Sequence, residues 1–503
     1  MMTYDGAVSD GTIAESVFSN IAEPRKTSDL AGFVTDTMFE DIPADVAAAT
    51  KRLILDEIVV TAAAMDTPMA RALLRLKADR GGKAEATLIA DGRKVPAASA
   101  AYIHAQLANL LDADETMHNR MHTLSANVMA GLAVAEMTNA SGRDLIASVA
   151  TGYDITSRIG VSLTQYVPDG KGGMIFAPLF GWGWMSFGAA ATTARLLGLD
   201  RRQLASAFGQ AFVTTPVYFD VSKNNLRLLG EDRQASWHKY QMSGAMTEAG
   251  LNAALLTSYG WVAQEDILDE GSDFWKSFAV GGCDWDTMYN DLGKRWYITE
   301  TSIKPYPFCR FGHAALDIMT SIRDRHSVNA DDIEDVTVRI VPHELAEMLI
   351  STPTADEPLK LMVSQPTAMA LVALGVTPGP KWFSANYSDS KIHEFAGKVR
   401  YETNHEWGAD LIGQMDNEGF FKRLPTEVIV RTKNGTELRE SRDYARGDPW
   451  SKETIYDDAQ IAEKAHQYLE GIISKDSIDD LIDMTINLEK SENIREFGKI
   501  FQK

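Results

Sequence analysis

The chain has 503 residues, of which 45% are hydrophobic and 24% charged, a composition typical of a folded globular protein with two or more domains. Its 70 acidic residues outnumber its 49 basic residues, which gives a formal net charge of −21. Because no stretch is rich in Lys or Arg, the chain is not expected to bind nucleic acid or an anionic membrane surface. The same charge would repel an anionic substrate, so a site for one must contain its own cations.

The two cysteines, Cys283 and Cys309, are too few for a disulfide framework or a four-thiolate metal centre. The first residues do not have the basic and apolar segments of a secretory signal, and the chain has no uninterrupted apolar run of about 18 residues. We therefore expect a cytoplasmic protein without a membrane segment.

The first part of the chain, residues 28–297, is predicted to be an all-α domain that follows a flexible polar tail over residues 1–27. Ser141 is placed to cap the helix that starts after it. Stretches crowded with Ala and Gly predict helices whose backbones pack closely. The helices predicted from periodicity and composition are 44–64, 97–111, 125–137, 141–160, 187–199 and 242–260.

The pattern changes near residue 298, and residues 298–445 are predicted to form a smaller α+β domain. Two alternating runs within 426–443, joined by Asn434-Gly435, indicate a hairpin with a type I′ turn. Residues 446–503 return to helical patterns that we expect to rejoin the first domain, so the fold class is mainly α with an α+β insertion. The other predicted elements are strands at 333–341 and 398–404 and helices at 313–326 and 364–374.

Several common catalytic motifs do not occur. No G-x-G-x-x-G follows a predicted strand, GKGG at 170–173 lacks the rest of a P-loop, and HELAEM at 343–348 is not H-E-x-x-H. There is also no G-x-S-x-G motif. These absences argue against a dehydrogenase, a kinase, a zinc protease and a serine hydrolase.

The densest group of chemically active side chains lies in residues 111–122, LDADETMHNRMH, between two apolar helices. Such a cluster is costly to bury unless its members are paired or used in chemistry. Three other interpretations stay open: a solvated loop, a metal site using His118 and His122, and helix capping by Asp112 or Asp114. The polar members are Asp112, Asp114, Glu115, Thr116, His118, Arg120 and His122.

The stretch 107–137, LANLLDADETMHNRMHTLSANVMAGLAVAEM, followed by SGRDLIASVATGYDITSRIG, resembles the 2-methylcitrate dehydratase (MmgE/PrpD) family. FGAAATTARLLGLD, GLNAALLTSYGW and SIKPYPFCRFGHAALD further along the chain agree with it in the same order. The resemblance covers about residues 30–490. The family includes 2-methylcitrate dehydratases, cis-aconitate decarboxylases and an iminodisuccinate epimerase.

The resemblance implies a large helical domain, a smaller α+β lid domain, a homodimer and an active site between the two domains. It also implies a small carboxylic acid as substrate and chemistry without a metal or an organic cofactor. A hydro-lyase is the first functional expectation. A decarboxylase or an epimerase using the same acid–base residues is the second, and a non-catalytic relative is the third.

By position, the resemblance assigns catalytic roles to Asp112, Thr116, His122, Lys239 and Lys304. His122 would carry the proton, since its ordinary pKa is near neutrality. Asp112 would orient His122 or act as the base, and Thr116 would position a substrate oxygen. The two lysines would stabilise a carbanion that forms next to a carboxylate. Without the resemblance, both lysines would be assigned to the solvated surface.

This chain departs from the family pattern where a histidine is replaced near Ala177 and a tyrosine is replaced by Thr367. Because Trp182 and Trp184 are added nearby, we expect a more apolar pocket and a substrate different from the family's best-known tricarboxylates. Structural roles are the alternative for the arginines among the further candidates. These candidates for substrate binding are His118, Arg120, Arg158, Arg310, Trp182, Trp184 and Thr367.

Overall fold

The computed structural model describes residues 27–89, 91–119, 121–177, 183–216, 242–278, 281–352, 354–385 and 387–501. The fold is mainly α-helical, as the sequence predicts. The predicted tail lies outside the described residues except for Thr27. No described helix has both the length and the apolar character needed to span a bilayer.

Helices dominate the N-terminal part. Helix α2 begins after Pro43, and every side chain from Leu53 to Ala63 is buried, so the acidic residues Asp56 and Glu57 lie inside the protein. The helices are α1 (Thr27–Asp36), α2 (Ala44–Ala63), α3 (Pro68–Leu73), α4 (Ala97–Ala108), α5 (Leu124–Thr138), α6 (Gly142–Ser162), α7 (Met185–Leu196), α8 (Arg201–Thr214), α9 (Ser243–Ser258), α10 (Phe274–Phe278) and α11 (Trp285–Tyr289).

Helix α6 shows how the sequence sets both the start of a helix and its packing. The Ser141 hydroxyl accepts the Asp144 N–H, and the Asp144 carboxylate accepts the Ser141 N–H, which confirms the predicted cap. Helix α7 packs against α6 so closely that a Cβ on Gly188 would overlap the Thr156 hydroxyl. The Gly-rich composition therefore allows these helices the close approach that was predicted.

Two short antiparallel strand pairs lie within the part predicted to be all helical, so that prediction was incomplete. One pair lies between α3 and α4 and joins β1 (Ala86–Thr87) to β2 (Lys94–Val95). The other joins β3 (Tyr166–Pro168) to β4 (Met174–Phe176). Strands of two or three residues are too short to produce a detectable alternation in the sequence.

A four-stranded sheet organises the C-terminal part, with the order β6-β5-β7-β8. Strand β5 pairs in parallel with β6 and antiparallel with β7, which continues into β8 as a hairpin. Helices α12 and α15 pack against each other, and α12 also contacts β7 and β8. The elements are α12 (His313–His326), β5 (Ile333–Ile340), α13 (Glu344–Ser351), α14 (Pro358–Leu361), α15 (Gln365–Ala373), α16 (Pro380–Phe383), α17 (Ser390–Ala396), β6 (Val399–Thr403), α18 (Gly408–Glu418), β7 (Thr426–Thr432) and β8 (Glu437–Arg442).

The predicted hairpin is present, but its predicted type I′ turn is wrong. A type I′ turn needs positive φ at both central residues. Gly435 has a φ of 87°, whereas Asn434 is not among the residues with positive φ. The Gly435 N–H donates to Thr432 O at 2.9 Å, and the Thr432 N–H donates to Thr436 O at 2.9 Å. The loop is therefore a three-residue connection with glycine in the left-handed position.

Helices α19 (Asp458–Leu469), α20 (Lys475–Ile486) and α21 (Arg495–Ile500) end the described chain. Helices α19 and α20 both pack against α2, and apolar side chains such as Ile461 and Leu481 belong to the same core as α2. The last helices therefore lie against the first helical part, beneath the segment that carries the candidate site.

Candidate active site

The described residues 111–119 and 121 of segment 111–122 are buried, so its interpretation as a solvated loop was wrong. It joins α4 to α5. Asp112, Asp114 and Glu115 are each 0% exposed, and the side chain of His122 is 11% exposed. Burying this many ionisable groups is unfavourable unless they are paired, and the surrounding contacts provide that pairing.

Asp112 and Lys304 form a fully buried ion pair. The Lys304 Nζ donates to Asp112 Oδ1 at 2.8 Å and to the Asp112 carbonyl at 2.9 Å, and it lies 3.8 Å from Asp114 Oδ1. Asp112 has a φ of 51°, a left-handed conformation that aspartate tolerates better than most residues. Burial works against the charge of Lys304, but Asp112 and Asp114 hold its pKa above the usual lysine value. Lys304 is therefore an ammonium ion.

Thr116 keeps Lys304 close to segment 111–122 by pairing with the backbone of Ser302. Its backbone pairs with Ser302 in both directions, with N–H to carbonyl distances of 3.0 Å each. Its hydroxyl donates to the carbonyl of Met121 at 3.1 Å. The backbone pairing holds the residues just before Lys304 against segment 111–122. The hydroxyl bond joins Thr116 to Met121 within that segment.

His122 is held by a backbone carbonyl. Its Nδ1 lies 2.8 Å from Glu115 O and 4.0 Å from Asp114 Oδ1. Since a carbonyl only accepts hydrogen bonds, the proton resides on Nδ1, and Nε2 becomes the basic atom of the neutral ring. This arrangement suits a side chain that takes up and releases a proton at Nε2.

Asp112, Asp114 and His122 also place one possible ligand atom each within 4.8 Å of one another, a spacing that could hold a metal ion. The Lys304 ammonium already lies among these carboxylates. A divalent cation there would have to displace Lys304 or bear its repulsion. His118 is not part of this group, so the two-histidine metal pair considered from the sequence is not formed.

His118 belongs instead to a buried network beside the cluster. Its Nε2 lies 3.3 Å from Ser302 Oγ and 3.5 Å from Asp448 Oδ1. Burial lowers the pKa of His118 to about 4, against the opposing influence of Asp448. Arg310 donates to Asp448 and to the carbonyls of Ala445 and Arg446. His118 is thus a neutral member of segment 111–122 that faces Ser302 and Asp448, and Arg310 fixes the loop around residue 446.

Two other candidates are held by neighbours outside the Asp112–Lys304 pair. Arg158 is buried and donates to Asp154 and to three backbone carbonyls, so binding a substrate would require it to give up these bonds. Trp184 is buried edge-on to Phe278, with ring centroids 6.2 Å apart. The contacts of Arg158 are those of a structural residue.

Thr367, where the family has a tyrosine, lies in the core of the C-terminal part. Its Oγ1 accepts the Ala355 N–H at 2.8 Å and bonds Ser364 Oγ at 2.9 Å. Ala177, where the family has a histidine, is buried, and its N–H donates to Gln165 O at 3.0 Å. Arg120, Trp182 and Lys239 lie outside the described residues.

Sequence reasoning missed three buried charged residues next to segment 111–122. They are Asp56 and Glu57 on α2 and Lys464 on α19. The Lys464 ammonium donates to Asp56 and, at 2.9 Å, to the carbonyl of Ala113. A signal was present in LILDEIVV, where two adjacent acids interrupt an apolar helix.

The geometry defines a buried acid–base centre at the junction of a helical part and an α+β part. The N-terminal domain of the MmgE/PrpD family matches residues 28–286, and the C-terminal domain of the same family matches residues 306–490. The chain belongs to the MmgE/PrpD family.

Two curated relatives are similar to this chain over part of its length. A cis-aconitate decarboxylase-like protein, OryM, of Aspergillus oryzae is 23% identical over 351 residues, which cover 65% of this chain and 68% of the relative. A cis-aconitate decarboxylase of Aspergillus terreus is 24% identical over 349 residues, which cover 65% of this chain and 66% of the relative. The chain thus spans about two thirds of the length of both.

Proposed function

We propose that this protein is a cofactor-independent lyase that generates a carbanion next to a carboxylate of a small carboxylic acid. Decarboxylation of an unsaturated polycarboxylate is the first reaction to test, because both curated relatives are named for cis-aconitate decarboxylation. The observation that carries the proposal is the buried Lys304–Asp112 pair beside His122, whose Nδ1 is anchored to a backbone carbonyl.

In decarboxylation, the bond between the leaving carboxylate and its carbon breaks, CO2 departs, and the electron pair moves into the remaining unsaturated acid. The His122 imidazolium then delivers its Nε2 proton to carbon and later regains a proton from solvent. Lys304 stabilises the negative charge that develops in this step. Asp112 keeps Lys304 in place and in its charged form.

Dehydration is the second candidate, favoured by the resemblance of segment 111–122 to 2-methylcitrate dehydratases. Here neutral His122 removes a proton from the carbon next to a carboxylate, and the hydroxyl group leaves as water after receiving a proton. Both reactions need the same proton carrier and the same cation. They differ in the group that departs and in the form of His122 that starts the reaction, which is the imidazolium in decarboxylation and the neutral ring in dehydration.

The charges of the cluster limit how the substrate can bind. Asp112 and Asp114 both lie beside Lys304, and the whole chain is acidic. A carboxylate substrate therefore needs a further cation. Lys239, assigned by the resemblance, is the residue we propose for this role. The resemblance also implies a homodimer, which analytical ultracentrifugation would measure.

The proposal is tested by incubating purified protein with cis-aconitate and with 2-methylcitrate while following CO2 release, water loss and solvent deuterium incorporation separately. We expect one net reaction, abolished by His122→Ala and unaffected by His326→Ala, a matched change at an exposed histidine. Full activity of His122→Ala would overturn the site assignment. Deuterium exchange without a net product would replace the lyase with an isomerase.

A further inference from the structure

We infer that Glu57, on helix α2, keeps a proton in the folded protein and uses it to hold Glu115, the residue that positions His122. Glu57 is a positioning residue, since it acts on the proton carrier through Glu115. Its effect on catalysis rests on the proposed function, whereas its protonation can be measured without a substrate.

Glu115 connects three parts of the site. Its Oε1 accepts the N–H groups of Thr123 and Leu124 at 2.7 and 2.6 Å, at the start of α5. Its backbone carbonyl lies 2.8 Å from Nδ1 of His122, and the next residue, Thr116, pairs with Ser302. A shift of Glu115 would therefore move the imidazole and the start of the helix together.

Glu57 is the buried group that faces Glu115. Both carboxyl groups are 0% exposed. If both were ionised, neither oxygen of Glu57 would have a hydrogen-bond donor among the described residues, and Glu115 Oε2 would also have none there. Two buried carboxylates repel each other, and the oxygens that lack donors are poorly solvated. A proton on Glu57 removes one of the two negative charges and supplies a hydrogen-bond donor, because the Glu57 O–H can donate to Glu115.

The surroundings decide which of the two acids keeps the proton. Burial, together with the charges of Glu115, Asp114 and Asp56, raises the pKa of Glu57 well above its ordinary value. Burial and Asp114 raise the pKa of Glu115 to about 8, although its bonds from Leu124, Glu57 and Thr123 act in the opposite direction. Glu115 accepts two N–H groups at a helix N-terminus, where negative charge is favoured. The proton therefore resides on Glu57.

The other ionisable groups around the pair do not change this assignment. Asp56 neighbours Glu57 on α2 and is bound by Lys464 from α19. Asp114 adds negative charge from the catalytic segment. Tyr153 of α6 is buried, and its pKa is raised by burial and by Glu115, so its phenol is neutral. Among the described groups, the Lys464 ammonium also acts on Glu57, but it is bound to Asp56. The combined influence of burial and the neighbouring carboxylates still favours retention of a proton on Glu57.

The proton is tested by infrared spectroscopy on whole protein labelled at glutamate, near neutral pH. We expect the carbonyl band of a protonated carboxyl group in the wild type and its loss in Glu57→Gln. Glu136→Gln is the matched control, since Glu136 is also buried but already accepts two hydrogen bonds from Thr87 and should not carry that proton. The absence of the band, or its survival in Glu57→Gln, would overturn the inference.

The positioning role is tested by comparing Glu57→Leu with Glu57→Gln. Leucine cannot donate to Glu115, whereas the glutamine amide can. We expect Glu57→Leu to lower kcat by up to about 100-fold with little change in KM, as a displaced proton carrier would, and Glu57→Gln to restore much of that loss. Equal kcat values for wild type and Glu57→Leu would overturn the positioning role.

A readout without substrate separates this inference from the proposed function. In protein labelled at histidine, NMR would show the Nδ1–H form of His122, assigned by its absence in His122→Asn. Glu57→Leu should shift or lose this signal, and Glu57→Gln should retain it. An unchanged signal in Glu57→Leu would refute the link to His122 even in a protein with no measurable lyase activity.

Discussion

Lys304 and Asp112 form a buried ion pair although they are 192 positions apart in the chain, with Nζ 2.8 Å from Oδ1 and 2.9 Å from the Asp112 carbonyl. The contact links the N-terminal family match, which contains Asp112, to the stretch between the two matches, where Lys304 lies. Removing one charge should therefore affect both the chemistry and the stability of the fold.

Lys304→Met should lower kcat/KM by about 100-fold, because the developing negative charge loses its buried cation. It should also lower the free energy of unfolding by about 3–5 kcal/mol, because a buried ion pair is broken by removal of its cation. Activity assays and urea unfolding would measure the two effects. Lys276→Met, at an exposed lysine paired with Asp273, is the control that should change neither.

Adding Asp112→Asn to Lys304→Met separates the two effects. The double variant should recover part of the lost stability, since the buried charge at position 112 is gone, but it should recover no activity. Asparagine tolerates the left-handed backbone of Asp112. A recovery of activity in the double variant would show that Lys304 acts only through the stability of the fold.

The Glu57–Glu115 pair predicts that stability falls as the solution becomes more alkaline. Burial and the charges of Glu115, Asp114 and Asp56 raise the pKa of Glu57 well above its ordinary value of 4.5, so the stability that its proton contributes is complete below pH 4.5 and is lost as pH rises through the raised pKa. Over this window the folded protein holds more protons than the unfolded chain, and each extra proton corresponds to about 1.4 kcal/mol per pH unit.

Urea unfolding of wild type and Glu57→Gln at several pH values across that window would measure the slope. The variant has one carboxyl group fewer to titrate, so its free energy of unfolding should decline less steeply with pH. Glu136→Gln should keep the wild-type slope. Parallel curves for wild type and Glu57→Gln would contradict a proton shared by the pair.

Local signals in the sequence predicted most of the individual elements. Helical spacing located α2 and α6, and alternation located β5 and the β7–β8 hairpin, because these patterns reflect one buried face of a single segment. The turn type of the hairpin was mistaken because Asn434-Gly435 suits more than one loop length. The two-residue strands near Ala86 left no periodic signal.

The candidate site was located from the density of polar residues in segment 111–122 and from its family resemblance. Neither signal could reveal Glu57, Lys464 or Asp448, because each approaches the segment from a distant part of the chain. For Arg158 the sequence left substrate binding and a structural role open. Only the fold shows that backbone carbonyls and Asp154 already occupy its donors.

His118 predicts a loss of stability on the acidic side. Burial lowers its pKa from 6.5 to about 4, and burial has the same effect on His104. The unfolded chain binds more protons between these values, so the free energy of unfolding should fall as pH falls through that window. His118→Asn should flatten this slope, while His326→Asn, at an exposed site, should not. An unchanged slope in His118→Asn would mean that His118 is already charged in the folded protein.

The last prediction concerns metals, because Asp112, Asp114 and His122 have a spacing that a metal ion could use. The Lys304 ammonium lies 2.8 and 3.8 Å from the two carboxylates, so a divalent cation at the same place would meet strong repulsion in a buried environment. We therefore expect substoichiometric metal in the purified protein and activity that survives chelation. Elemental analysis and assays after dialysis against a chelator would measure both. Asp114→Asn and Asp356→Asn, the latter at an exposed residue paired with Lys360, provide the comparison. Stoichiometric metal that is lost only in Asp114→Asn would make the cluster a metal centre, and the role of cation would then pass from Lys304 to the ion.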